Sequence, residues 1–151
     1  AVDLFDHKLD LAMKHGATHC INSSEEDFSD ALKEILGSPV DFMIEGTGNS
    51  RIIEKAYELT SLNGTCVLFG VMPFDQKASI NTLPLHLGRK IIGSEGGQSQ
   101  PHLDIPRYLD MIDAGAFGLD DFVSHRSNLE NLNQAILRMR EGDSIHTMIT
   151  F

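Results

Sequence analysis

Short apolar runs alternate with amphipathic ones along the first part of the chain. The runs at 1–4, 18–21, 40–45, 65–71 and 90–95 are rich in β-branched and apolar residues and lack a clean alternation. That pattern predicts parallel strands covered on both faces, because a strand open to water on one side alternates. Between the runs lie helical patterns. Residues 6–15 set Leu9, Ala12 and Met13 on one face and stop at Gly16, a residue type favoured just past a helix end. Ser23 with Glu26 has the spacing of a capping box and leads into Phe28, Ala31, Leu32 and Ile35, closing at Gly37. Residues 50–61 place Ile52, Ile53, Ala56 and Tyr57 at helical spacing. Strands alternating with helices of this length predict βαβ units and an α/β fold with a parallel sheet.

After Val71 the rhythm changes. "MPFDQKASINTLPLHLGRK" carries two prolines and mixed polarity, which predicts a loop, a short extended piece and a single helical turn. "IIGSEGGQSQP" reads as a strand running into a glycine-rich turn. A helix is expected over 104–114, with Pro106 in its first turn where a missing N–H costs little. Another is expected over 128–140, with Ser127 and Glu130 as a capping box, and "HTMITF" reads as a final strand. There is no internal repeat.

Composition narrows the function. Among 151 residues, 22 acids face 12 Lys and Arg for a net charge of −10, which argues against nucleic acid or an anionic membrane as a partner. Two cysteines, Cys20 and Cys66, are too few for a disulfide framework, and each sits in an apolar run as a small core residue does. No apolar stretch approaches the roughly 20 residues that span a bilayer, and the start has no basic segment ahead of an apolar one. The expected compartment is the cytoplasm.

The most suggestive local motif is "EGTGNSR", residues 45–51, between a strand and a helix. Gly46 and Gly48 match the opening of G-x-G-x-x-G, but Arg51 takes the third glycine position, which serves close helix–strand packing. By itself this reads as an ordinary βα turn. No G-x-x-x-x-G-K-[ST] phosphate loop is present. Seven histidines are scattered, with no H-x-x-x-H spacing that includes an acid and no C-x-x-C, so no metal site is predicted. Cys66 lies mid-strand without a nucleophile elbow, and His125 and His146 read as surface histidines.

Taken together, "VDLFDHKLDLAMKHGATHCINS", "VDFMIEGTGNS", "NGTCVLFGV", "LGRKIIGS" and "GDSIHTMITF" resemble the zinc-type medium-chain alcohol dehydrogenases, with spacing kept from first residue to last. The resemblance implies a doubly wound, Rossmann-like parallel sheet that binds NAD. It covers the C-terminal part of such an enzyme: most of a dinucleotide-binding domain over 1–97, then over 98–151 the last helix of that domain and a segment returning to the catalytic domain. Roles follow residue by residue. Asp3 aligns with the ribose-binding acid, whose charge favours NAD over NADP, and Lys8 with a lysine beside that ribose. Glu45, Gly46 and Thr47 align with the turn lining the adenine side. Gly70 and Val71 align with the strand end that meets the nicotinamide amide. Ser94 and Glu95 fall where the next strand approaches the same ring. His146 stands where many relatives carry an arginine to the pyrophosphate; as a histidine it is only partly charged near neutral pH. Residues 78–95 align with the strand region through which such enzymes dimerise. "EGGQSQPHLDIPRY" resembles bacterial members acting on aryl or other bulky alcohols.

The resemblance also implies that the zinc ligands, the proton-relay hydroxyl and the glycine-rich loop belong to sequence before the residue matching Ala1. The expected sheet is therefore incomplete, without its first strand and loop, and the chain is expected to be part of a longer enzyme and inactive alone. Zinc is expected on the other part only. The chain's expected role is to orient NAD for hydride transfer between an alcohol and NAD. Rival readings are a zinc-free quinone or enone reductase of the same superfamily, a non-catalytic nucleotide-binding module, and a structural oligomer built on the dimer strand.

Overall fold

The computed structural model describes residues 1–151 as α/β, with every strand pair parallel. It falls into two units, residues 1–28 with 101–151, and residues 29–100. At the start, β1 (Val2–Asp3), α1 (Asp6–Lys14) and β2 (Ile21–Asn22) make one parallel crossover. Leu9 and Ile21 are its buried apolar contacts. As predicted, α1 stops at Gly16, whose φ of 100° lets the Ala17 N–H reach back to the Ala12 carbonyl at 2.9 Å. The expected capping box does not form. The Ser23 N–H and hydroxyl both turn to the Asp3 carbonyl, extending the β1–β2 ladder, and α2 begins only at Phe28 (Phe28–Leu36).

The second unit is a sheet in the order β3-β4-β5, from β3 (Val40–Glu45), α3 (Ser50–Leu59), β4 (Thr60–Leu68), the short α4 (Leu83–His86) and β5 (Lys90–Gly93). Asn49 caps α3 by accepting the Arg51 N–H at 3.0 Å. The helix passes straight into β4 at Thr60, so the predicted helix over 50–61 is two residues too long. Register fixes the two faces. Met43, Cys66 and Ile91 align across the strands and pack with Ala56 and Tyr57 of α3. The opposite row is Ile44, Val67 and Ile92. Here the expected double cover is not observed: Phe42 is 74% exposed and Ile44 67%. Within this unit only the α3 face of β3 is dry. Arg89 completes the unit. It donates to the Tyr57 and Ser61 carbonyls and lies over the Tyr57 ring, while the Tyr57 hydroxyl holds the Asn81 carbonyl at 3.0 Å.

The rest of the first unit comprises α5 (Pro101–Asp113), β6 (Val123–Asn128), α6 (Leu132–Glu141) and β7 (His146–Thr150). The helix α5 starts three residues before the predicted 104, so Pro106 sits inside it and leaves the His102 carbonyl without its i+4 donor. The strand β6 was not predicted from its polar "SHRSN"; it exists because β7 pairs with it in parallel. Ahead of α6 a 3-10 turn runs Leu129–Asn131, capped by Asn128 rather than by the expected Ser127. The early and late parts of the unit are tied in two places. Lys14 and His15 both reach Asp121, at 2.7 and 3.2 Å, with the His15 ring stacked on Phe122. The Phe5 ring lies against Gly142, where a Cβ would come within 2.5 Å of it.

Candidate functional site

Most of the residues singled out above collect where β3, β4 and β5 end. The Glu45 carbonyl accepts the N–H groups of Phe69 and Gly70 at 2.9 and 3.2 Å, and the Leu68 carbonyl accepts the Ser94 N–H at 2.8 Å. Because Phe69 and Gly70 share one acceptor, β4 ends at Leu68 instead of continuing to 71 as expected. Likewise β5 ends at Gly93, short of 95. Glu45, Gly46, Thr47, Gly70, Val71, Ser94 and Glu95 thus follow three adjacent parallel strands at one sheet edge, the edge at which open α/β sheets bind ligands. The two loops after β3 and β4 touch through glycine. A Cβ on Gly70 would lie 2.6 Å from the Gly46 carbonyl oxygen, and one on Gly48 2.7 Å from the Val71 carbonyl carbon. The Phe69 ring covers Gly46 in the same way. Phe69 and Val71 nonetheless stay exposed, so the edge has an apolar lip.

Glu45 is the best-buried acid of this edge, at 3% exposure. Its carboxylate turns inward. Oε1 accepts the Thr47 N–H at 2.6 Å and also the Thr47 hydroxyl, and Oε2 accepts the Gly48 N–H at 3.4 Å. Ser94 uses its hydroxyl to accept the Gly97 N–H at 3.2 Å, whereas the Glu95 side chain is exposed.

In the other unit, Asp3 ends β1 with its Oδ1 accepting the Leu4 and Phe5 N–H groups at 2.8 and 3.2 Å. One oxygen therefore anchors the carboxylate by two backbone N–H groups. Lys8 lies on α1 with its ammonium over the Phe5 ring, 4.8 Å from the centroid. His146 opens β7, exposed, its carbonyl held by the Ser124 hydroxyl at 3.2 Å. Phe5 is the residue that the sequence reading passed over, since it serves both Lys8 and Gly142; an aromatic at the mouth of α1 was the available signal.

Metal chemistry finds no ligand set in this chain: no three His, Cys, Asp or Glu side chains converge. Cys20 donates to the Leu9 carbonyl. Cys66 is fully buried, and burial pushes its thiol above its ordinary range despite a bond from Thr60. A cavity of about 420 Å³ opens beside β6, β7 and α6, lined by His125, Arg126, Arg138 and Thr147 among others, and by none of the residues aligned above with cofactor roles. No helix is long and apolar enough to cross a membrane.

Known proteins match this arrangement. The sequence profile described as zinc-binding dehydrogenase matches residues 1–114. Alcohol dehydrogenase-like 5 of Arabidopsis thaliana is 31% identical over 98% of this chain and 39% of its own length. Among solved structures, an alcohol dehydrogenase zinc-binding domain protein from Burkholderia ambifaria superposes with a TM-score of 0.89 at 33% identity, over 100% of this chain and 41% of that one. Benzyl alcohol dehydrogenase from Acinetobacter calcoaceticus gives 0.89 at 30%, over 99% and 41%. A zinc-binding dehydrogenase from Sinorhizobium meliloti, solved with NADP, gives 0.76 at 27%, over 89% and 40%. The chain thus spans about two fifths of the length of the proteins it matches. With a family profile over three quarters of its residues, a Rossmann-like α/β fold and dehydrogenase relatives along its whole length, this chain belongs to the zinc-type medium-chain alcohol dehydrogenases.

Proposed function

We propose that the chain is the NAD-orienting part of an alcohol dehydrogenase, working in the cytoplasm within a longer enzyme and inactive alone. The observation that carries this reading is Asp3. Its Oδ1 is fixed by two backbone N–H groups and its Oδ2 is free, which suits the vicinal hydroxyls of a ribose. The same charge would meet the 2′-phosphate of NADP unfavourably, in contrast to the relative solved with NADP. The strand ends of the other unit carry most of the remaining cofactor candidates. Gly70, Val71, Ser94 and Glu95 would hold the nicotinamide amide, with Gly46 and Thr47 on the adenine side, Lys8 beside the ribose and His146 toward the pyrophosphate.

When bound, NAD supplies a hydride acceptor at nicotinamide C4. The residues of this chain orient that ring and keep water off it: the glycine contacts fix the two loops, and Phe69 and Val71 offer an apolar surface to a flat ring. No zinc ligand set is present here, so no step of the reaction is assigned to this chain beyond binding and orientation. The length of the relatives and the uncovered β3 face with Phe42 and Ile44 support its working within a larger assembly. The homo-oligomer contact is assigned to residues 78–95, and the relative named for benzyl alcohol favours an aromatic alcohol as substrate.

Calorimetric titration with NAD and with NADP, on the wild type and on Asp3→Asn, tests the reading. The wild type should prefer NAD, and the substitution should cost NAD about tenfold, the loss of one charge-assisted hydrogen bond, while NADP gains relative to it. Equal NAD affinity in the two proteins would remove the ribose role.

A further inference from the structure

The β3–α3 turn opens with the G-x-G spacing of a dinucleotide-binding loop, yet four of its N–H donors are already engaged from inside. The Thr47 and Gly48 N–H groups go to the two oxygens of Glu45, at 2.6 and 3.4 Å. The Asn49 N–H goes to the Thr47 Oγ at 3.0 Å, and the Arg51 N–H to the Asn49 side chain at 3.0 Å. A phosphate at the mouth of a helix is held by these same groups. Behind them sits a carboxylate that is 3% exposed, close to the positive end of the α3 dipole and opposed to any incoming anion. Register places Glu45 on the same sheet face as Met43, the α3 face, so the carboxylate is built into the packing and is not a surface group free to swing away.

We propose that Glu45 is a positioning and specificity residue that closes the α3 N-terminus to anions and holds the Gly46–Asn49 turn for an uncharged, flat ligand group. This rests on the dinucleotide reading above, in which that group is the adenine. Glu45 acts through Thr47 and Gly48 and does not itself touch the ligand. Phe69, lying on Gly46, gives the turn the apolar neighbour that a base needs.

The test reads the backbone N–H groups by NMR in wild type, Glu45→Gln and Thr47→Val, with inorganic phosphate, adenosine and NAD as probes. In the wild type, adenosine and NAD should shift the Gly46–Asn49 signals while phosphate leaves them in place. Glu45→Gln should speed hydrogen exchange at Thr47 and Gly48 roughly tenfold or more, let phosphate shift those signals and weaken NAD several-fold. Thr47→Val keeps the charge, so it should loosen Asn49 and still exclude phosphate; it decides the question should Glu45→Gln not fold. Phosphate shifts at Thr47 and Gly48 in the wild type, or unchanged exchange in Glu45→Gln, would overturn the proposal. If Glu45→Gln admits phosphate but adenosine and NAD never shift the turn, the exclusion of anions stands and the dinucleotide reading fails.

Discussion

Gly70→Ala is the sharpest probe of the sheet edge, because its effect is steric and not conformational: Gly70 has no positive φ. The new Cβ would stand 2.6 Å from the Gly46 carbonyl oxygen, where ordinary contact begins at 3.4 Å. The obstruction is backbone, with no side chain to swing aside, and the Gly46 carbonyl carbon and the Gly48 nitrogen lie closer still, so the loops after β3 and β4 must part by about 1 Å. Overpacking of this kind costs about 1–3 kcal/mol. The same movement stretches the Phe69 and Gly70 N–H bonds to the Glu45 carbonyl, now 2.9 and 3.2 Å, at about 0.5–1.5 kcal/mol each. The expected loss is therefore roughly 2–6 kcal/mol. Gly93→Ala is the control, since a Cβ there meets nothing within 4 Å and should change stability by less than about 0.5 kcal/mol. In urea unfolding followed by circular dichroism, Gly70→Ala should lower the midpoint by about 1 M or more at unchanged slope. Equal midpoints for the two variants would refute the claim that glycine contact locks these loops.

Cys66 and Asp121 give two further tests. With its thiol buried and held in the neutral form, Cys66 should resist iodoacetamide under conditions where Cys20 reacts, and label only on unfolding; equal labelling of both in the native state would contradict the packing. Its raised pKa also means that its contribution to stability is complete below the unfolded thiol value near 8.5 and is lost as pH climbs through the folded one. Asp121 runs the other way. The Lys14 ammonium holds its carboxyl below 3.8, so the stabilising contribution is present above that value and fades as pH falls through the folded pKa. Asp121→Asn should thus be less stable than the wild type near neutral pH and equal to it in strong acid, with a gap that narrows in salt. A gap independent of pH would rule out the ion pair as its source.

Much of the architecture was written in local pattern. The runs at 40–45 and 90–95 became β3 and β5, and the periodicity of Ile53, Ala56 and Tyr57 became the dry face of α3, because those signals depend on residues within one or two turns of each other. Gly16 ended α1 for the same reason. Where expectation and structure part, a distant partner won. Ser23 had a capping spacing but turned to Asp3, twenty residues away. Polar β6 became a strand only because β7 lies beside it. The helix α5 ran through the position expected to start it, since Pro106 removes one donor and a neighbouring turn can absorb that loss.

The site divides along the same line. The residue types were legible from sequence: an acid closing β1, glycines after β3 and β4, a serine after β5. The convergence of the glycines and the serine was not, because it depends on the parallel register that sets Glu45, Leu68 and Gly93 side by side. Nor could the sequence say which way Glu45 faces. In "EGTGNSR" the acid could equally meet a ligand or its own turn. Alternation along β3 and the packing of α3 decided it, turning the carboxylate inward, where Thr47 and Gly48 supply the hydrogen bonds that a buried charge requires.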